Sequence, residues 1–235
     1  MAPQFGPPPT LKKPSVDPSR SGRYAGAMPL DYLISALVTL LVVVDPVGLA
    51  PTFLAVTHGL PAKARKRIAL RASVIAGTIL IGTALVGDWL LRQLGIGVPA
   101  FRIAGGLLLF AVASEMVLGV RIDRQSKQAE EALEEHVRNI AAFPLAIPLM
   151  AGPGAITATL LLAGQAGGRP LALAVLFSVI LVVMGACFVV FLLASRIERL
   201  LGVTGNVVLQ RLLGVILAAL AVQYVIDGVR AALTG

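Results

Sequence analysis

LISALVTLLVVVDPVGLAPTFLAVT, residues 33–57, decides the fold of this chain. The run is apolar almost throughout and exceeds the ~20 residues that cross a hydrocarbon core as a helix. One acid, Asp45, stands inside it, followed by Pro46 and Gly48. A strand does not fit, because the run is too long and lacks alternation of period two. Proline within a helix removes an i to i−4 hydrogen bond and costs about 3 kcal/mol. In lipid the freed carbonyls need other partners, so such a break survives only against protein or a water-filled cavity. A carboxylate at mid-span costs about 2.5–3.5 kcal/mol on insertion scales and must face inward. The stretch therefore reads as a membrane-crossing helix, interrupted, with its interruption turned to the interior.

The same character extends outward. The chain is 57% hydrophobic and 14% charged, whereas soluble domains carry about a quarter charged residues. Apolar segments near 30–57, 68–91, 99–119, 140–164, 170–194 and 207–229 each have about the length of a span. Arg102, Arg211 and Asp227 intrude near the ends of the third and sixth, where long basic side chains can reach the interface. The expected fold is an all-α polytopic membrane protein of six transmembrane helices.

Before the first span, residues 1–29 hold Pro3, Pro7, Pro8, Pro9, Pro14 and Pro18 among Ser, Gly and basic residues, a composition that predicts a disordered tail. It is no secretory signal, since the small residues Ala25-Gly26-Ala27 precede the apolar run instead of following it. Residues 30–119 form a first three-helix unit, 120–139 a polar connection and 140–235 a second unit. The connection, RIDRQSKQAEEALEEHVRN over 121–139, has acids at helical spacing and reads as a short solvated helix, with His136 exposed.

Charge gives orientation. Lys63, Arg65, Lys66, Arg67, Arg71, Arg121, Arg124, Lys127, Arg138, Arg196 and Arg199 flank one face; Lys12, Lys13, Arg20, Arg23, Arg92, Arg169 and Arg230 flank the other. The richer face is expected in the cytoplasm, which puts both termini outside the inner membrane. Because membrane insertion accounts for the net charge of +8, nucleic acid is not the expected partner; the bilayer is. Cys187 is alone, so it forms no disulfide within the chain and reads as a packing residue.

The two units resemble each other. Asp45-Pro46 aligns with Gly152-Pro153, Leu94-Gly95 with Leu201-Gly202, and, after a two-residue insertion, Arg102, Gly105 and Gly119 align with Arg211, Gly214 and Gly228. With three spans each, the second unit enters the membrane upside down, giving an inverted repeat, the architecture of many secondary transporters. The fourth span carries its own break in AFPLAIPLMAGPGAIT, residues 142–157. Breaks at matching places in two halves point to a transport site near the midplane; ordinary proline kinks are the alternative. The candidate substrate-binding residues are Asp45, Pro46 and Gly48 at the first break and Gly152, Pro153 and Gly154 at the second. New half-helices begin there, with free N–H groups suited to a carboxylate, and glycine lets a ligand approach the backbone. Asp45 reads either as partner of a substrate ammonium, coupling H+ or Na+, or as a cap on the half-helix after Pro46. Arg102 and Arg211 either snorkel to headgroups or pair with a carboxylate of the other half. Gln223 and Asp227 line a cavity or pair at an interface.

DPVGLAPTF (45–53), FRIAGGLLLF (101–110), PLAIPLMAGPGAI (144–156) and QRLLGVILAALAVQYVIDGV (210–229) closely resemble the MarC family of inner-membrane proteins, also known as the small neutral amino acid transporter family. The resemblance covers about residues 30–233. It implies six spans, interrupted first and fourth helices, outward termini and, for some members, transport of glycine, alanine and similar amino acids. A secondary carrier of such small-molecule substrates is the expected function; the alternative is a non-transporting protein with a structural or stress-related role. No GxxxxGK[ST] loop exists to use nucleotide energy. An enzyme is not expected: the histidines, His58 and His136, lie at or outside the membrane ends, and Asp45 is the lone mid-span acid. No cofactor or metal is expected, and oligomeric state is not legible.

Overall fold

The computed structural model describes residues 24–121, 124, 127 and 141–234. Residues 1–23 of the expected tail, most of the 120–139 connection and His136 lie outside the described residues. Every regular element among the described residues is helical.

α1 (Tyr24–Val44) begins inside the stretch read as tail, where Ala25, Ala27 and Met28 favour helix. It stops at Asp45, which takes a left-handed conformation (φ 53°). Asp is one of the few non-glycine residues that visit this region readily. The chain resumes as α2 (Ala50–Val56), with proline in its first turn, where the missing N–H costs nothing. α3 (Ala62–Gln93) and α4 (Val98–Leu118) are continuous. The second broken segment consists of α5 (Ala141–Met150), a wide-turn π-helix, and α6 (Pro153–Ala166), separated at Ala151 and Gly152. The last helical stretch, Pro170–Thr234, is non-helical at Gly202 (φ 60°, ψ −176°), which divides it into α7 (Pro170–Gly202) and α8 (Thr204–Leu233).

By length and composition four helices can cross a membrane: Ala62–Gly87 within α3, α4, α7 and α8. The two broken segments are made of shorter pieces, of which Leu30–Val44 is the longest apolar run in the first. The chain is thus a multi-pass helical membrane protein whose element order runs broken, continuous, continuous, and then the same again. Gly95 and Gly202, aligned in the sequence, each take a left-handed conformation (φ 67° and 60°) at the turn between the two continuous helices of their unit. Glycine permits that geometry without a Cβ penalty.

The closest packing is between α4 and α8. A methyl group placed on Gly106 would lie 2.7 Å from the Ala221 carbonyl oxygen, on Gly228 3.0 Å from that of Pro99, and on Gly214 3.1 Å from that of Ala113. Pro99, Gly106 and Ala113 recur at every second turn of α4 and face Gly228, Ala221 and Gly214 in antiparallel register. Small residues at such crossings let backbones approach, which drives helix association where lipid offers no hydrophobic gain. Elsewhere Phe53 of α2 stacks on Phe191 of α7 (centroids 4.5 Å apart, planes 7° apart), and the Tyr32 hydroxyl of α1 donates to the Leu162 carbonyl of α6 at 2.8 Å.

The half-helices differ in length. At about 1.5 Å per residue, Leu30–Val44 spans roughly 22 Å and α2 roughly 10 Å. On the same rise α6 spans roughly 21 Å. Each break thus has a half-helix of similar length on one side of it, α1 at the first and α6 at the second.

Candidate functional site

The first break is a closed polar knot. Pro46 has no N–H to offer the Val42 carbonyl. Asp45 accepts the Gly48 N–H through Oδ1 at 3.0 Å, and the Leu49 N–H reaches the Asp45 carbonyl at 3.1 Å. Asp45 thus caps the turn at 45–48 that leads into α2, while α2 itself has no side-chain cap at its start. Its other oxygen, Oδ2, faces the Gln210 amide of α8 without a well-formed hydrogen bond. Both side chains are 1% exposed. A methyl group on Gly48 would collide with the Asp45 carboxylate and the Gln210 amide. The open side of Gly48 is therefore filled by these two groups, not left clear for a ligand.

A residue from the far end of the fold completes the knot. Past the left-handed Gly119 (φ 82°), where α4 ends, Arg121 turns back into the protein and is 5% exposed. Its Nη2 donates to the Val43 carbonyl, in the last turn before the break, at 2.8 Å. Arg121 supplies the positive charge that acts on buried Asp45, without a direct ion pair. Its Nη1 has no hydrogen-bond partner.

The second break is open. It borders a cavity of about 210 Å³ whose walls include Val43, Val112, Pro148, Gly152, Gly154 and Arg121. Gly152 cannot carry a side chain, since a methyl group there would run into the Pro148 carbonyl. On Gly154 a methyl group would lie 3.2 Å from Val112 and 3.3 Å from Val43. That contact brings the two breaks side by side: Val43 belongs to the last turn of α1 and Gly154 to the first turn of α6. Pro153 opens α6, and no side chain caps it, so the N–H groups of Gly154 and Ala155, in its first turn, have no intrahelical acceptor. Arg124, at the cavity rim, is held by Glu115 (Nη1–Oε1 and Nη2–Oε2 both 2.9 Å).

Of the other candidates, none lies on the cavity wall. Arg211 is exposed and Arg102 half-buried. Gln223 donates to Asp227 at 2.8 Å on the exposed face of α8, so the two pair with each other. The sequence reading missed Arg121, taken as one of the charges that set orientation, and Gln210, the neighbour of Arg211. Gly119 was the available signal for Arg121: a glycine ending a helix redirects the chain.

The sequence profile described as MarC family integral membrane protein matches residues 30–233. The chain belongs to the MarC family. A UPF0056 membrane protein of Archaeoglobus fulgidus is 38% identical over 200 residues, covering 85% of this chain and 92% of its own. UPF0056 membrane protein MJ1677 of Methanocaldococcus jannaschii is 35% identical over 206 residues, covering 88% and 100%. UPF0056 membrane protein YhcE of Escherichia coli is 35% identical over 202 residues, covering 83% and 91%. No solved structure matches the chain. Both breaks, Arg121 and Gln210 fall within the MarC family match, and the expected tail, residues 1–29, falls outside it.

Proposed function

We propose that this MarC family protein is an inner-membrane secondary transporter of small neutral amino acids of the glycine, alanine and serine class. Its six crossings form two inverted three-helix repeats with both termini outside, and it carries out no enzymatic reaction. The observation that carries the reading is the meeting of two interrupted helices, Val43 against Gly154, at a cavity lined in part by buried Arg121, one of whose guanidinium nitrogens has no partner. Interrupted helices at membrane depth are tolerated where backbone lines a cavity, and in secondary carriers that is where substrate and coupling ion sit. The size of the cavity, about 210 Å³, falls below the ~300–1,000 Å³ typical of sites for drug-sized ligands. That favours a substrate with a small side chain. The repeated element order, the paired left-handed turns at Gly95 and Gly202, and the antiparallel packing of the last helix of each unit support the inverted repeat.

Uptake of labelled amino acids into proteoliposomes tests the transport reading. Glycine, alanine and serine should enter above the level of protein-free vesicles, and leucine poorly. A folded, correctly inserted protein that moves no amino acid in either direction would sink it. Orientation is tested separately with a single cysteine, Ser126→Cys on a Cys187→Ala background. Labelling by an impermeant reagent from the periplasmic side would show the topology to be reversed.

A further inference from the structure

We infer that Arg121 is a ligand-binding residue: with the first turn of α6 it forms a site for the carboxylate of a small molecule. This rests on the transport reading for the identity of the ligand, but the site is defined by its own chemistry.

Three observations converge on one cavity. Arg121 is 5% exposed, yet its Nη1 has no hydrogen-bond partner. A buried guanidinium nitrogen without a partner is costly, and charged groups more so than neutral ones. It lies on the wall of the cavity that also exposes Gly154 and Ala155. Those two residues follow Pro153 at the start of a helix of 14 residues, and no side chain caps their N–H groups. A helix start carries partial positive charge and free donors, the ordinary setting for an anion. The competing acid at the rim, Glu115, is already engaged by Arg124. Asp45, the other acid in range, spends Oδ1 on the Gly48 N–H and is not on the cavity wall. The cavity wall thus presents donors and a guanidinium and carries no acid among the described residues, the charge of Asp45 reaching Arg121 from off the wall.

A carboxylate fits this set better than an ammonium, because guanidinium and N–H groups are donors only. The other arm of the same guanidinium, Nη2, holds the Val43 carbonyl at the first break. A ligand on the Arg121 guanidinium and the Val43 carbonyl on its Nη2 would therefore share one rigid group, which ties occupancy of the cavity to the break in α1. Arg121 would read the ligand at one edge and hold the helix end at the other.

The test measures binding, separately from transport, with purified full-length protein in a phosphate-free neutral detergent. The probes are glycine, glycinamide (ammonium without carboxylate) and propionate (carboxylate without ammonium). For the wild type, glycine and propionate should bind, and glycinamide at least tenfold more weakly than glycine. Arg121→Gln should lose that discrimination, and Arg121→Lys, which keeps charge but not the two-edged geometry, should retain part of it. If Arg121→Gln does not fold, the Lys variant and the wild-type preference among the three probes still decide. Wild-type binding of glycinamide as tight as glycine, absence of binding by every carboxylate, or unchanged discrimination in a folded Gln or Lys variant would each overturn the site. Propionate binding that needs Arg121, in a protein that transports no amino acid, would uphold the site and overturn the transport reading. Amino acid transport that is indifferent to Arg121 would do the reverse.

Discussion

The two breaks contain similar residues and are built in opposite ways. Asp-Pro-Val-Gly at 45–48 is packed shut: Asp45 caps the turn before α2, Gln210 fills the space over Gly48, and Arg121 holds the Val43 carbonyl. Ala-Gly-Pro-Gly at 151–154 has no polar side chain of its own, and its first-turn donors face a cavity. The first break is filled by side chains of the protein, with Asp45 Oδ2 and both atoms of the Gln210 amide left without hydrogen bonds. The second borders open space. A glycine that looks the same in sequence is therefore a packing necessity at position 48 and a clearance at position 154.

The same substitution at the two glycines breaks this contrast most directly. Gly48→Val should cost about 3 kcal/mol or more, because overpacking adds to the displacement of two buried polar groups. The expected result is loss of monodisperse protein in detergent, read by size exclusion and thermal unfolding. Gly154→Val has neighbours at 3.2 and 3.3 Å that are valine methyl groups, neither main chain nor polar. It should stay within about 1–2 kcal/mol of wild type while uptake in proteoliposomes falls to background. Equal damage to folding at both sites would remove the distinction between a filled break and an open one.

Asp45 sharpens the comparison. Asp45→Ala removes the cap, places a residue ill suited to φ 53° and leaves Arg121 without its opposing charge. A loss of about 2–3 kcal/mol is expected in unfolding measurements. Asp45→Asn keeps an acceptor and tolerates the left-handed backbone, so its loss should be smaller, about 1 kcal/mol. An Asn variant as unstable as the Ala variant would show that charge, not capping, is what the first break needs. Gln223→Ala should have the smallest effect, within about 0.5 kcal/mol, because an exposed i,i+4 pair contributes only that much. A large loss of uptake in that variant would place Gln223 in the pathway after all.

The sequence made the breaks legible because proline has a fixed chemistry. Pro46 and Pro153 cannot donate, and a membrane leaves few ways to compensate. The turns at Gly95 and Gly202 were legible as an alignment before they were seen as conformations. Arg121 was not, for a physical reason. An arginine just past a span can extend outward to headgroups or fold back inward, and both use the same stem from the same backbone position. Only the turn at Gly119 and the carbonyl left over at Val43 decide between them, and these lie far apart in sequence. Gln210 was hidden similarly, since a polar residue beside Arg211 reads as part of one interfacial cluster until the rotation of α8 separates the two.

The contact of α4 with α8 carries a consequence for how the molecule meets its surroundings. With glycine against carbonyl at three levels, no acyl chain fits between the two helices, and they present a single broad wall to the bilayer instead of two rods. Sliding one past the other would drive Ile103, Met116 and Val225 into the main chain opposite. Any opening of the cavity toward either side must then carry this wall whole, and its shear falls on the surfaces where the wall meets the broken segments.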